Sequence, residues 1–196
     1  MPWATFLKAH WGAITAMDFF KVEVMTLIGP VRYSVLVVMD LKTRHVEMAG
    51  IVCEAYEEWM IQVLRKLTDS VDGFLLGKTH LIMDRDPVFT AHFRCMLRNS
   101  GVNPVRLPRR SPNLNAFIER FIRSIKEDCL DRVIPLGEAH LRELIGEYMA
   151  HYHVERPHQG LGGAFVQPSI DHATDGPLVK RERLGGLLNY YYGEAA

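Results

Sequence analysis

His80-Leu-Ile-Met-Asp84-Arg-Asp-Pro87-Val-Phe-Thr90 is the stretch on which the fold of this chain turns. His80 to Met83 is a short apolar run that reads as a strand, and it ends in an acidic turn closed by Pro87. Beyond the turn Phe89, Phe93, Met96 and Leu97 recur at helical spacing, which predicts a helix over 89–99 with Gly101 as its C-cap. Open α/β sheets place ligand sites outside the carboxyl ends of their strands, and Asp84 occupies such an end. Asp86 is equally acidic, but alternation along the strand puts it already inside the turn before Pro87.

Upstream, Ala13 to Val24, Tyr33 to Met39 and His45 to Cys53 are rich in β-branched and apolar residues. The Leu27-Ile-Gly-Pro30 break and the polar stretch Asp40-Leu-Lys-Thr-Arg44 separate them. They predict an antiparallel three-strand meander with Asp40 as a turn residue. From Tyr56 the period changes, and Trp59, Met60, Val63, Leu64 and Leu67 predict an amphipathic helix. Downstream of Gly101 come a strand over 102–107, a Pro/Ser/Asn loop over 108–115, a helix over 116–130 and a helix over 138–153. Ile118, Ile122, Ile125 and Cys129 form the apolar stripe of the first of these helices. The order of three strands, helix, strand, helix, strand and two helices implies an α/β fold, a mixed five-stranded sheet flanked by helices.

At 196 residues the chain accommodates one well-buried α/β domain with a small appendage. We read residues 1–12 as an amino-terminal lead-in, 13–165 as the core and 166–196 as a loosely attached tail. Cys53, Cys95 and Cys129 are an odd, scattered set without a C-x-x-C pair, which disfavours a disulfide framework or a thiolate zinc site and suits a cytoplasmic location. His151, His153 and His158 lack nearby thiolates, so a zinc role for them is weak. No apolar run approaches a membrane span, and no membrane partner is expected. The formal net charge is zero, which argues against a generic polyanion binder. Any nucleic-acid surface must be local. Arg106, Arg109, Arg110, Arg120, Arg123 and Lys126 against the single acid Glu119 supply one.

Three acids stand apart from the rest. Asp18 lies inside Ala13-Ile-Thr-Ala-Met-Asp18-Phe-Phe20, where an unpaired carboxylate is costly to bury, so a cationic partner is expected beside it. Asp84 ends its strand. Glu119 shares a helix face with Arg123 and Lys126, opposite the isoleucine stripe, whereas Arg120 is turned away from that face.

Ile82-Met-Asp84-Arg-Asp-Pro-Val-Phe89-Thr, with Ser111-Pro-Asn-Leu-Asn115-Ala-Phe-Ile-Glu119-Arg-Phe-Ile-Arg-Ser-Ile-Lys126-Glu, resembles the catalytic core of bacterial insertion-sequence transposases of the retroviral-integrase type. The 34 residues between Asp84 and Glu119 are close to that family's spacing of its second and third acids. His151-Tyr-His-Val-Glu-Arg156-Pro-His158-Gln-Gly-Leu161 is similar to its Tyr-Asn-x-x-Arg-Pro-His-x-x-Leu signature, with His153 in place of Asn. Asp86 stands where the family often has Gly. The resemblance covers roughly residues 13–161 and implies a ribonuclease-H-like fold with Asp18, Asp84 and Glu119 as an Asp-Asp-Glu catalytic and metal-binding triad. It also implies that the family's amino-terminal helix-turn-helix region is missing.

On that resemblance, two Mg²⁺ or Mn²⁺ ions held by Asp18, Asp84 and Glu119 would serve DNA nicking and strand transfer during transposition, with Asp18 bridging. Arg109, Arg110, Arg123 and Lys126 would hold the phosphodiester backbone without reading sequence. Arg156 and His158 would brace the active-site helix from beneath. The implied partners are transposon ends, target DNA and further copies of the chain assembled on DNA. Two other readings compete: a truncated, catalytically silent chain that only binds DNA or transposase, and a stand-alone nuclease on the same fold.

Overall fold

The computed structural model describes residues 2–108, 112–167 and 173–193. Five strands form the main sheet: β1 (Ile14–Thr26), β2 (Gly29–Asp40), β3 (Val46–Val52), β4 (His80–Met83) and β5 (Asn103–Arg106), in the order β3-β2-β1-β4-β5. β2 and β3 run antiparallel with an irregularity between Leu36 and Val37. β1 with β4, and β4 with β5, are parallel. The sheet is therefore mixed. The first three strands follow one another across it as the expected meander, and the later strands return through helical crossovers.

Among the described residues the helices are α1 (Trp3–His10), α2 (Glu57–Leu67), α3 (Ala91–Asn99), α4 (Ala116–Ile125) and α5 (Gly137–Val154). Contacts divide the chain into two compact units, residues 1–23 with 31–122, and residues 24–30 with 123–196.

In the first unit the core lies between the sheet and helices α2 and α3, where Met17, Leu36, Met60, Leu64, Met83, Phe89 and Phe93 are buried together. Each helix carries its own start signal. α2 has Glu57 and Glu58 in its first turn and Arg65 and Lys66 in its last, as the helix dipole favours. α3 is capped by Thr90, whose hydroxyl oxygen accepts from the Phe93 N–H at 3.1 Å and whose O–H donates to Glu57 at 2.7 Å, tying the two helices together. Gly101 follows the end of α3 with φ 82°, the left-handed geometry expected of its C-cap. Gly50 on β3 leaves room for the Trp59 ring, since a Cβ there would lie 2.6 Å from it. α1 was not anticipated. It occupies most of the lead-in and buries no residue fully, but the Phe6 and His10 rings pack at a tilt against one another and both reach His80 on β4, Phe6 edge to face.

In the second unit the helix expected over 116–130 changes character. α4 ends at Ile125 and Lys126–Leu130 forms a π-helical turn, with the Asp131 N–H donating to the Lys126 carbonyl at 2.9 Å. Arg156 donates to Asp128 at 2.7 Å and to the Tyr148 hydroxyl at 2.8 Å, pinning that turn to α5. The expected tail contains structure: β6 (Ala173–Arg183) and β7 (Leu188–Gly193) form an antiparallel pair. Glu155, only 3% exposed, anchors it by accepting from Arg183 Nε at 3.0 Å and Nη2 at 2.8 Å, while Arg183 Nη1 reaches Glu147 at 2.9 Å. Burial works against ionisation of Glu155, but the hydrogen bonds from Arg183 and His151 prevail and hold its pKa below the usual value. The turn between β1 and β2 projects Leu27 and Ile28 into solvent.

Candidate active site

The register of the two central strands brings the first two acids level. Ile14 pairs with His80, Thr15 with Leu81 and Ala16 with Ile82. Carried two residues further, the same register sets Asp18 against Asp84, immediately beyond the end of β4. Asp18 is partly buried on β1, and its Oδ1 accepts the N–H of Phe19 at 2.8 Å. Asp84 Oδ1 accepts the N–H of Asp86 at 2.9 Å, and Asp86 Oδ1 accepts the N–H of Val88 at 3.0 Å. Two successive side-chain-to-backbone turns thus shape the loop after β4. Arg85 laces this loop to the end of β5 by donating from Nε to the Leu107 carbonyl at 2.8 Å. Asp86 lies in the loop as expected, and lines an open pocket with Lys21 and Arg32.

Glu119 enters from α4, where Ile118, Phe121 and Ile125 are fully buried. Phe121 joins the stripe predicted from the isoleucines, while Ile122 is only partly buried.

The electrostatics of Asp18 tie the acids together. Burial raises its pKa, the Phe19 N–H pulls it back, and the charges of Asp84, Glu119 and Asp86 push it up further, in that order, to about 7. Among the described residues no cation is found acting on it, so the expected cationic partner is not met there: three further carboxylates act on this partly buried one. The physical reason is that β1, the post-β4 loop and α4 each deliver an acid to the same end of the sheet. A cluster of oxygen donors carrying excess negative charge suits a hard divalent ion of the Mg²⁺ type. Among the described residues no group of three or more His, Cys, Asp or Glu side chains is drawn together closely enough to hold a metal ion.

The expected phosphate ligands fall in different places. Arg109 and Arg110 lie outside the described residues. Arg123, exposed in the last turn of α4, and Lys126, at the start of the π-helical turn, belong to the second unit. Arg120 is exposed. Arg156 and His158 make structural contacts, Arg156 to Asp128 and Tyr148 and His158 Nε2 to the Tyr152 carbonyl at 2.8 Å. His151 Nδ1 pairs with Glu155 at 2.9 Å and His153 is buried, so these histidines are engaged in packing and ion pairing.

Sequence reasoning missed a cluster beside Glu119. Trp11, Arg44 and Phe117 stack together, and Asp40 builds the turn that carries Arg44. The signal was faint, since nothing in the spacing of a lone Trp, Arg and Phe links them.

Residues 100–164 match the integrase core domain family. An uncharacterised 39.2 kDa protein of insertion element IS476 from Xanthomonas euvesicatoria is 29% identical over 80 residues, which are 40% of this chain and 23% of that protein. The chain thus matches less than a quarter of the length of that relative. The catalytic core domain of HTLV-2 integrase, solved in complex with magnesium, superposes with a TM-score of 0.59 at 15% identity, covering 79% of this chain and 93% of that one. The catalytic core domain of BIV integrase gives 0.55 at 17% identity, covering 79% and 91%. A chain of the simian T-cell lymphotropic virus intasome gives 0.57 at 14% identity, covering 92% and 66%. At these identities the likeness establishes the fold, which is ribonuclease-H-like. Among the described residues no helix is long and apolar enough to cross a membrane. The sheet order and the match over 100–164 thus agree: the chain has the fold of integrase catalytic core domains, and its residues 100–164 are similar to the integrase core domain family.

Proposed function

We propose that this chain is the catalytic core of a DNA transposase, nicking and joining DNA strands with divalent metal held by Asp18, Asp84 and Glu119. The observation that carries the reading is the β1–β4 register that sets Asp18 level with Asp84, with Glu119 and Asp86 near enough for their charges to act on Asp18. When bound, two Mg²⁺ or Mn²⁺ ions would supply activation of the attacking oxygen and stabilisation of the leaving one in an in-line displacement. The chain's own contribution is placement. β1 holds Asp18 beside the end of β4, the Asp86 N–H orients the Asp84 carboxylate, and α4 presents Glu119. Water as the nucleophile gives nicking, and a DNA 3′-hydroxyl gives strand transfer. Arg109, Arg110, Arg123 and Lys126 are proposed to hold the phosphodiester backbone, and residues 13–165 to make up the catalytic core. Transposon ends and target DNA are the substrates in this reading, and several copies act together on them.

The test is cleavage and joining of element-end oligonucleotides by the purified chain with Mg²⁺ or Mn²⁺, comparing Asp84→Asn and Glu119→Gln. Activity lost in both variants supports the reading, and full activity in both overturns the residue assignment. DNA binding without metal-dependent cleavage by the parent chain would favour a binding-only module.

A further inference from the structure

Arg44 occupies the turn between β2 and β3 in a conformation that few arginines adopt. Its φ is 64°, a left-handed backbone that disfavours side chains with a Cβ, and it is 8% exposed although charged. Strain of this kind persists where the surroundings over-determine it. Here the surroundings are explicit. The Asp40 carboxylate accepts the N–H of Lys42 at 2.8 Å, its other oxygen pairs with Lys78 Nζ at 2.6 Å, and the Arg44 N–H donates to the Asp40 carbonyl at 2.9 Å. The turn so fixed lays the guanidinium over Phe117, 3.7 Å from the ring centroid, and 5.4 Å from that of Trp11. Trp11 and Phe117 meet edge to face at 5.7 Å.

Phe117 is the second residue of α4 and Glu119 follows two residues later. At about 100° per residue the two side chains point about 200° apart, so the stack grips the helix on the side opposite Glu119. We propose that Arg44 is a positioning residue: its stack on Phe117 fixes the rotation of the first turn of α4 and thereby where the Glu119 carboxylate stands relative to Asp18. This rests on the metal-dependent reading above. The guanidinium carbon lies over the ring at a distance where a planar group can cover two rings at once, and a compact, strongly hydrated ammonium group is a poor substitute there.

The experiment measures Mn²⁺ binding to the full chain by electron paramagnetic resonance of the free ion, alongside steady-state nicking of a DNA oligonucleotide. It compares the parent with Arg44→Met, Arg44→Lys, Phe117→Leu and the Arg44→Met/Phe117→Leu pair. Supporting residues of metal ligands commonly influence affinity about 10–100-fold. Each single variant should weaken Mn²⁺ binding about tenfold or more and lower kcat, with KM for DNA nearly unchanged. Arg44→Lys should not rescue, and the double variant should be no worse than the worse single one, because both remove one contact. A stack that serves only packing would lower Tm while leaving Mn²⁺ affinity within about twofold of the parent, and that result, or full rescue by lysine, overturns the proposal. If Arg44→Met does not fold, Phe117→Leu and Arg44→Lys decide the matter by the same criteria. Absence of Mn²⁺ binding by the parent would refute the metal-site reading and this proposal together, whereas equal binding by parent and variants refutes this proposal alone.

Discussion

Replacing Asp18 by Asn should make the metal-free chain more stable, and the gain should depend on pH in a way that the acid cluster dictates. The folded-state pKa of Asp18 is raised from 3.8 to about 7, with burial the largest cause and the neighbouring acids adding to it. A raised carboxyl pKa means that the folded chain holds the proton more tightly than the unfolded one. The cost of ionising Asp18 is therefore absent below the unfolded value, grows between pH 4 and 7, and is fully present above 7. A shift of about three units corresponds to roughly 4 kcal/mol, and partial solvent access trims this to about 2–4 kcal/mol. For a chain of this size that is about 4–16 °C in Tm. Thermal unfolding in chelator at pH 4, 6 and 8 should show Asp18→Asn ahead of the parent by this margin at pH 8 and nearly level with it at pH 4. Added Mg²⁺ should stabilise the parent most at pH 8 and the variant much less. A difference between parent and variant that stays constant with pH, or that shrinks as pH rises, would refute the account of Asp18 as a carboxylate repelled by its neighbours.

Three further outcomes follow from other parts of the fold. Asp40→Asn leaves Lys78 without its ion-pair partner and should cost about 2–4 kcal/mol in chemical denaturation near neutral pH. Burial works against ionisation of Asp40, but Lys78 and the Lys42 N–H outweigh it and lower its pKa, so the contribution is present above the unfolded value and fades as pH falls through the folded one. Glu155→Gln removes the anchor of Arg183 and should release β6 and β7 first, read as faster amide exchange across 188–193 with little change in β1 or β4. Gly50→Ala places a methyl 2.6 Å from the Trp59 ring and should destabilise the chain by about 1–3 kcal/mol, with Trp59 fluorescence reporting the displaced ring.

The strands and helices were legible where one face is buried. β2 reads as a strand because Val35 to Met39 are all buried, and α2 because Met60, Val63, Leu64 and Leu67 fall on one side. The acids were legible through cost and position: a carboxylate within the apolar run of β1, another at the end of β4. The inference that cost demands a cation met no such partner at Asp18 among the described residues, where burial is partial and the neighbouring charges are acids. α1 was hard to read because, although Trp3, Phe6, Leu7 and His10 stand at helical spacing, the segment is only eight residues long and buries none of them. β6 and β7 escaped because the contacts that hold a Gly- and charge-rich segment, such as those of Arg183 with Glu155 and Glu147, lie far away in sequence and local composition does not announce them. The π-helical turn after Ile125 depends on the link from Arg156 to Asp128, across 28 residues of sequence.

The loop after β4 also settles what position 86 must provide. Asp84 is oriented by the backbone N–H of residue 86, a group that every amino acid except proline carries, so glycine would orient it as well as aspartate does. The Asp86 side chain serves another purpose, accepting the Val88 N–H and adding one more negative charge to the field at Asp18. Geometry at Asp84 and charge at Asp18 are thus set by separate atoms of one residue, and a substitution there can alter the second while leaving the first intact.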